Sequence, residues 1–297
     1  MSIADGLDRR RFVVTTEVQV PSESTPEDLL ASLRMVRGHV DAVSPTFGEP
    51  AADRPVEAVV ADSVRVCEVL RSNYVDPIFR VATRGSSRPE VQERLLGAAE
   101  RGVRELVAFT DDYRLTGDSL QEMMFFHVDA GKLFSVLECL REGRSIVGAP
   151  VPSPVDFCLG SGVDAAWGDR VPSFQQQEME HMAERGVRYF VTTPVFDLDR
   201  FAGFMARVGP VGVPVIAEVM ILRSAGMGHH LNRYVRPGLV PAHLIERLAS
   251  SKDRERTSMD IFAELVHGLR GLCRGVHVVP CGAEQSLHRY LDAARIR

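Results

Sequence analysis

Apolar residues in this chain gather in short β-branched runs, separated by longer stretches whose apolar positions recur every three or four residues. The runs fall at residues 12–20, 41–46, 77–83, 105–111, 145–151, 189–196, 213–222 and 276–281. Most are continuous rather than alternating, as expected of parallel strands covered by helices on one side and packed into a core on the other. Between them the helical period predicts helices over 56–71, 89–101, 131–141, 173–185, 198–208 and 259–272, a further one at 241–249 and a terminal one at 284–294. An earlier helix is predicted to begin at Thr25-Pro26-Glu27-Asp28, where Thr25 caps, Pro26 takes the first helical position and Asp28 closes a capping box. The polar stretch 250–257 reads as a solvated connection.

Eight strands alternating with helices predict an α/β fold, a closed (β/α)8 TIM barrel forming a single domain over 1–297. The competing open doubly wound sheet usually carries a glycine-rich phosphate turn after its first strand. Here that position reads Val18-Gln19-Val20-Pro21-Ser22-Glu23, without glycine.

Composition narrows the function classes. A net charge of -5 gives no general attraction to phosphate backbones or anionic lipid, so nucleic acid is a poor partner. The five cysteines, Cys67, Cys139, Cys158, Cys273 and Cys281, include no CxxC pair; they suit a reducing compartment rather than a disulfide or zinc framework. No secretory signal and no run of about 18 apolar residues is visible, and the expectation is a cytoplasmic protein with no membrane partner. No metal site is expected: His229-His230 are adjacent and lack a further ligand at suitable spacing. Phe125-Phe126-His127 reads as a packed segment whose histidine also has acid–base potential. Trp167, the only tryptophan, suits either loop anchoring or stacking on a planar ring, and Arg80, Arg84 and Arg88 suit either a solvated cluster or an anion site.

Laid in order, the strand ends resemble those of methylenetetrahydrofolate reductases from about Val13 to Gly282. Thr16-Glu17-Val18-Gln19-Val20-Pro21 is similar to the family's first strand. Val107-Ala108-Phe109-Thr110-Asp111-Asp112 resembles its L-A-L-x-G-D strand end, and Thr192-Thr193-Pro194-Val195-Phe196-Asp197 its T-Q-P-V-F-D segment. Val213-Pro214-Val215, Arg223-Ser224-Ala225-Gly226-Met227 and Gly275-Val276-His277 fit the later strands and loops.

The resemblance implies a one-carbon oxidoreductase that reduces 5,10-methylenetetrahydrofolate to 5-methyltetrahydrofolate through FAD, with NAD(P)H as electron donor. It implies Glu17 as the catalytic acid, its pKa raised in a partly dry pocket; the residues alone also suit a strand-end carboxylate paired with a nearby arginine. It places Asp112, Thr193 and Phe196 on the folate, and Thr46, Thr110, Asp111 and His181 at the cofactor. It also leads us to expect a homo-oligomer.

Several positions depart from the family pattern. Asp111 replaces a glycine, Thr193 a folate-contacting glutamine, and Glu218 a glycine in the seventh strand; His181 and Met182 stand where basic contacts to FAD are common, and Ile78 where one branch has histidine. Together these remove positive and add negative charge near a diphosphate-bearing cofactor, and so predict weakened FAD binding. They motivate two alternatives: a flavin-free member that binds folate and transfers a one-carbon or methyl unit in a specialised pathway, and a non-catalytic subunit that partners another reductase.

Overall fold

The computed structural model describes residues 3–20, 36, 38–47, 65–73, 75–82, 87–109 and 130–296. Eight strands, β1 (Val13–Val20), β2 (Ala42–Phe47), β3 (Asp76–Ala82), β4 (Glu105–Phe109), β5 (Cys158–Val163), β6 (Val187–Pro194), β7 (Val215–Met220) and β8 (Gly275–Val279), close into a barrel in chain order. Every neighbouring pair is parallel, including the β1–β8 seam that aligns Val13 with Gly275 and Thr15 with His277. The predicted TIM barrel is what forms.

The described helices are α1 (Ile3–Asp8), α2 (65–72), α3 (Arg88–Glu100), α4 (Ala130–Arg141), α5 (Ser173–Glu184), α6 (Leu198–Val208), α7 (Ala225–His230), α8 (Ala242–Ser250), α9 (Arg254–Leu269) and α10 (Leu287–Ala293). Their starts follow local chemistry. Ser87 and Glu90 form a reciprocal capping box on α3, and Asp197, Ser224 and Asp253 cap α6, α7 and α9 through their side chains. The stretch 250–257 is therefore a connection only up to Asp253, where α9 takes over. The helix expected from Thr25 and the first part of the one expected over 56–71 lie outside the described residues.

The fifth strand corrects the sequence reading. Residues 145–151 form a turn, with Gly148 N bonded to Ser145 O at 2.9 Å and Ser145 N to Ala149 O at 2.7 Å; Gly148 takes a positive φ of 83°. The strand is instead Cys158–Val163, CLGSGV, which carries two glycines and has little β propensity. One glycine is there for space: a Cβ on Gly160 would lie 2.4 Å from the Tyr189 ring, which fills the barrel and donates to Leu106 O at 3.1 Å.

Two apolar layers result. Val13, Ala42, Ile78, Val107, Cys158, Tyr189, Val191 and Ile216 pack inside the lower barrel, where Ile3 and Leu7 of the short α1, absent from the sequence reading, plug the N-terminal end. A larger layer lies between barrel and helices and includes Val18, Phe79, Leu106, Phe190, Phe201 and Phe262. The seam between β1 and β8 leaves no space: a Cβ on Gly275 would sit 2.3 Å from the Val13 carbonyl oxygen. Gly275→Ala is expected to destabilise the fold by about 1–3 kcal/mol through forced separation of the two strands. Chemical denaturation reads this directly, and an unchanged midpoint would contradict it.

Candidate functional site

Strand residues alternate between the barrel interior and the helix layer. In β1 this sends Val14, Thr16 and Val18 outward and Val13, Thr15 and Glu17 inward; in β3, β7 and β8 the same alternation turns Arg80, Glu218 and His277 to the inside. Below them the interior is apolar apart from Glu105 of β4, which accepts from Ala4 N at 3.2 Å. Above, toward the C-terminal ends of the strands, it is ionic. That is the face on which barrels of this kind carry chemistry.

Glu17 is the centre of the cluster. Arg80 Nη1 donates to Glu17 Oε1 at 2.5 Å, and His277 Nε2 lies 3.6 Å from the same oxygen. The other ring nitrogen of His277, Nδ1, is 2.8 Å from the Thr15 hydroxyl, so β1 holds both the carboxylate and the ring that faces it. Glu17 is 19% and His277 6% exposed at the side chain. Burial by itself pushes the Glu17 pKa up; hydrogen bonding from His277 and attraction to Arg80 and His277 outweigh it and hold the group at about 2. The sequence reading expected a raised pKa here. His277 and Arg80 together are the reason for the reversal, and the alternative of a carboxylate paired with a nearby arginine is what the geometry shows.

Glu218 is the second carboxylate. It is only 6% exposed, it pairs with His277 in the β7–β8 register, and no described residue hydrogen-bonds its carboxyl group. Burial and the nearby negative charge of Glu17 raise its pKa to about 8, against a smaller lowering by Arg80. Its backbone is fixed: Glu218 N donates to Thr192 Oγ1 at 3.1 Å and Glu218 O accepts from Val195 N at 2.9 Å, across the register shift that follows Val191 in β6. One carboxylate is thus ionised and its neighbour protonated at neutral pH.

A second network braces the rim. Arg236 grips Asp164 through two bonds of 3.0 and 2.8 Å, and Asp164 also accepts from the Thr193 hydroxyl at 3.1 Å and from Ala166 N at 2.9 Å. Gln175 of α5 donates to the Asp164 carbonyl at 2.8 Å, and the Arg236 guanidinium lies 5.5 Å from the centre of the Trp167 ring. Trp167 therefore has an anchoring role. The pair joins the end of β5 to the segment after β7, in which α7 runs into a wider π-type turn at Leu231–Val235. His229 and His230 lie in α7 rather than in a loop.

The expected site residues do not all meet. Glu17 is in the cluster. Thr193 uses its hydroxyl in the Asp164 network, donating to the carboxylate and accepting from Ala165 N at 3.1 Å. Phe196 is 3% exposed and packs in the layer outside the barrel, not in its mouth. Thr46 donates to the Val18 carbonyl of the neighbouring strand at 3.4 Å. His181 is exposed in the last turn of α5, just before the turn at Arg185-Gly186 that enters the start of β6. That position is toward the N-terminal end of the barrel, away from the Glu17 cluster. Thr110, Asp111 and Asp112, with Phe125, Phe126, His127 and Arg84, lie outside the described residues.

Arg80 was read only as part of an arginine cluster, solvated or anion-binding, and Glu218 only as a departure from the family pattern; His277, Asp164 and Arg236 carry no role in the sequence reading. A signal existed for three of them. Arg80 between Phe79 and Val81, Glu218 between Ala217 and Val219, and His277 between Val276 and Val278 are each a lone charged or titratable residue inside an apolar strand. A buried strand tolerates such a residue only with a partner or a task. Among the described residues no group of three or more His, Cys, Asp or Glu is placed to hold a metal, and no helix is long and apolar enough to cross a membrane.

The model of the methylenetetrahydrofolate reductase family matches residues 2–288. No curated protein matches the chain. Among solved structures, an uncharacterized protein from Clostridium thermocellum that binds two copies of 5-methyl-5,6,7,8-tetrahydrofolic acid is similar at 14% identity, covering 99% of this chain and 97% of that one with a TM-score of 0.63. The aminoacrylate-bound tryptophan synthase from M. tuberculosis is similar at 13% identity, with full coverage of both chains and a TM-score of 0.54. A dihydropteroate synthase from Xanthomonas albilineans is similar at 15% identity, covering 96% and 94%, with a TM-score of 0.50. At these identities the likeness is one of fold.

Proposed function

The chain belongs to the methylenetetrahydrofolate reductase family, and from that premise we propose that it binds a reduced folate in the mouth of the barrel and transfers the folate's one-carbon or methyl unit without flavin. The observation that carries this reading is the Glu17–Arg80–His277 cluster at the strand ends of a barrel of this family. A carboxylate held ionised by an arginine is an acceptor, and the pterin ring presents an amino group and ring N–H groups as donors. Glu17 then binds and orients the pterin instead of protonating it. The folate bound by the Clostridium thermocellum structure supports the choice of ligand class.

FAD is left out of the reading for reasons of placement. Of the residues expected to hold it, His181 faces away at the opposite end of the barrel and Thr46 bonds the neighbouring strand. These described residues do not assemble a cradle for a diphosphate, and the departures at Asp111 and Met182 add to that. NAD(P)H has no part in a transfer that moves no electrons.

Calorimetric titration with 5-methyltetrahydrofolate is the test. Binding is expected in the wild type, and Glu17→Ala is expected to weaken it at least about tenfold, since a charge-assisted hydrogen bond contributes about 1.5–3 kcal/mol. Equal affinity in the two proteins would sink the assignment. A purified protein carrying stoichiometric flavin absorption would restore the reductase reading. A turnover of the isolated chain that is lost in Glu17→Gln would exclude a purely non-catalytic subunit.

A further inference from the structure

We propose that Glu218, in the seventh strand, is the proton donor to the nitrogen that carries the one-carbon unit of the bound folate. This rests on the folate reading above. The argument is geometric first. Glu218 is buried to 6% exposure on the inner face of β7, its carboxyl group takes no hydrogen bond from any described residue, and its strand position is fixed on both sides by Thr192 and Val195. A carboxyl group on the inner face of a buried strand is tolerated only with a partner or a task. The cluster it faces is the one assigned to the pterin.

The chemistry agrees. Cleaving a carbon–nitrogen bond of a folate requires the departing nitrogen to be protonated, and Glu17, held at about 2, does not carry a proton at neutral pH. Glu218 does, being raised to about 8 by burial and by Glu17. Two neighbouring carboxyl groups with pKa values driven apart divide the roles of anion and acid between them. In the proposed step the O–H bond of Glu218 breaks and its electron pair stays on the carboxylate. The lone pair of folate N5 forms the new N–H bond. No electrons leave the pair of reactants.

The groups facing Glu218 are Glu17 from β1, Arg80 from β3, His277 from β8 and the Cys281 thiol beyond β8, while its β6 neighbours Thr192 and Pro194 are uncharged. Of these, Glu17 keeps the proton on Glu218, and Arg80 opposes it less strongly. The Cys281 thiol is pushed up to about 12 by burial and by both carboxylates, so it stays protonated and adds no charge.

Two measurements decide. Infrared titration of the free protein is expected to show a protonated carboxylic acid that is lost with a midpoint near 8, is absent from Glu218→Gln and shifts to a lower midpoint in Glu17→Gln; loss of the wild-type band below pH 6, or its persistence in Glu218→Gln, would overturn the proposal. The affinity for 5-methyltetrahydrofolate is expected to fall as the pH rises through about 8 with wild type, as Glu218 loses the proton it holds against N5, and to be level across that range with Glu218→Gln. A level profile with wild type, or the same fall with both, removes Glu218 as donor while leaving folate binding intact. No binding by wild type at all overturns the folate reading and this inference together. The wild-type profile alone decides if Glu218→Gln does not fold.

Discussion

Glu218→Gln is expected to stabilise the protein increasingly as the pH rises from 5 to 8. In the folded chain the carboxyl group is raised from 4.5 to about 8. Between those values the unfolded chain releases its proton while the folded chain keeps it, so each pH unit costs the wild type about 1.4 kcal/mol of stability. The contribution from holding the proton is complete below 4.5 and is lost as pH rises toward the folded value. An amide does not titrate. The variant therefore gains on the wild type by roughly 3 kcal/mol between pH 4.5 and 7. Glu17 acts in the opposite sense. Its pKa is depressed to about 2, so its contribution is present above 4.5 and lost only on acidification from 4.5 toward 2. The two carboxylates thus act in separate pH windows, and urea denaturation at pH 5, 6, 7 and 8 isolates Glu218. Parallel stability curves for wild type and Glu218→Gln would show that the group does not hold its proton. A stability gain coupled to a lost pH dependence of folate binding would be the familiar cost of an active-site group.

Strand existence was legible because covered parallel strands read as continuous apolar runs, and seven of the eight lie where those runs lie. The eighth was missed for a packing reason. Tyr189 occupies the space in front of Gly160, so β5 had to surrender side chains and with them its apolar signature, while the more strand-like 145–151 was turned back by Gly148 and Pro150. Helix α1 escaped because its role, plugging the barrel end with Ile3 and Leu7, depends on contacts far away in the chain. The site was legible residue by residue but not as a constellation. Glu17 was found from its neighbours in sequence; Arg80, which sets its charge state, lies 63 residues away. Glu218 was visible as a departure from the family pattern, yet its protonation depends on burial between β6 and β8 and on Glu17, which only closure of the barrel brings together. The sequence motif around His181 carried no direction: a position in the last turn of a helix returns toward the base of the barrel.

Arg236→Ala is expected to cost about 3 kcal/mol of folding stability. Its partner Asp164 has a side chain only 7% exposed, and Arg236 itself is 19% exposed. Removing one member of a buried pair costs about 3–5 kcal/mol because the remaining charge is left in a medium that solvates it poorly. Two features place the value at the lower end: Arg236 retains some solvent, and Asp164 keeps the Thr193 hydroxyl and Ala166 N–H as donors. The loss of packing against Trp167 acts in the other direction. Arg236→Lys should recover only part of the loss, since an ammonium group does not reproduce the two parallel bonds. Asp164→Asn tests the same pair from the other side, and combining it with Arg236→Ala should cost much less than the two single losses added, because no charge is then left buried. Strict additivity would mean that the pair is not coupled. Because the pair joins the end of β5 to the turn after α7, the same variant should also loosen the rim on that side and weaken folate binding without moving the Glu218 titration. A variant that lost stability and shifted that titration equally would instead indicate general unfolding of the mouth.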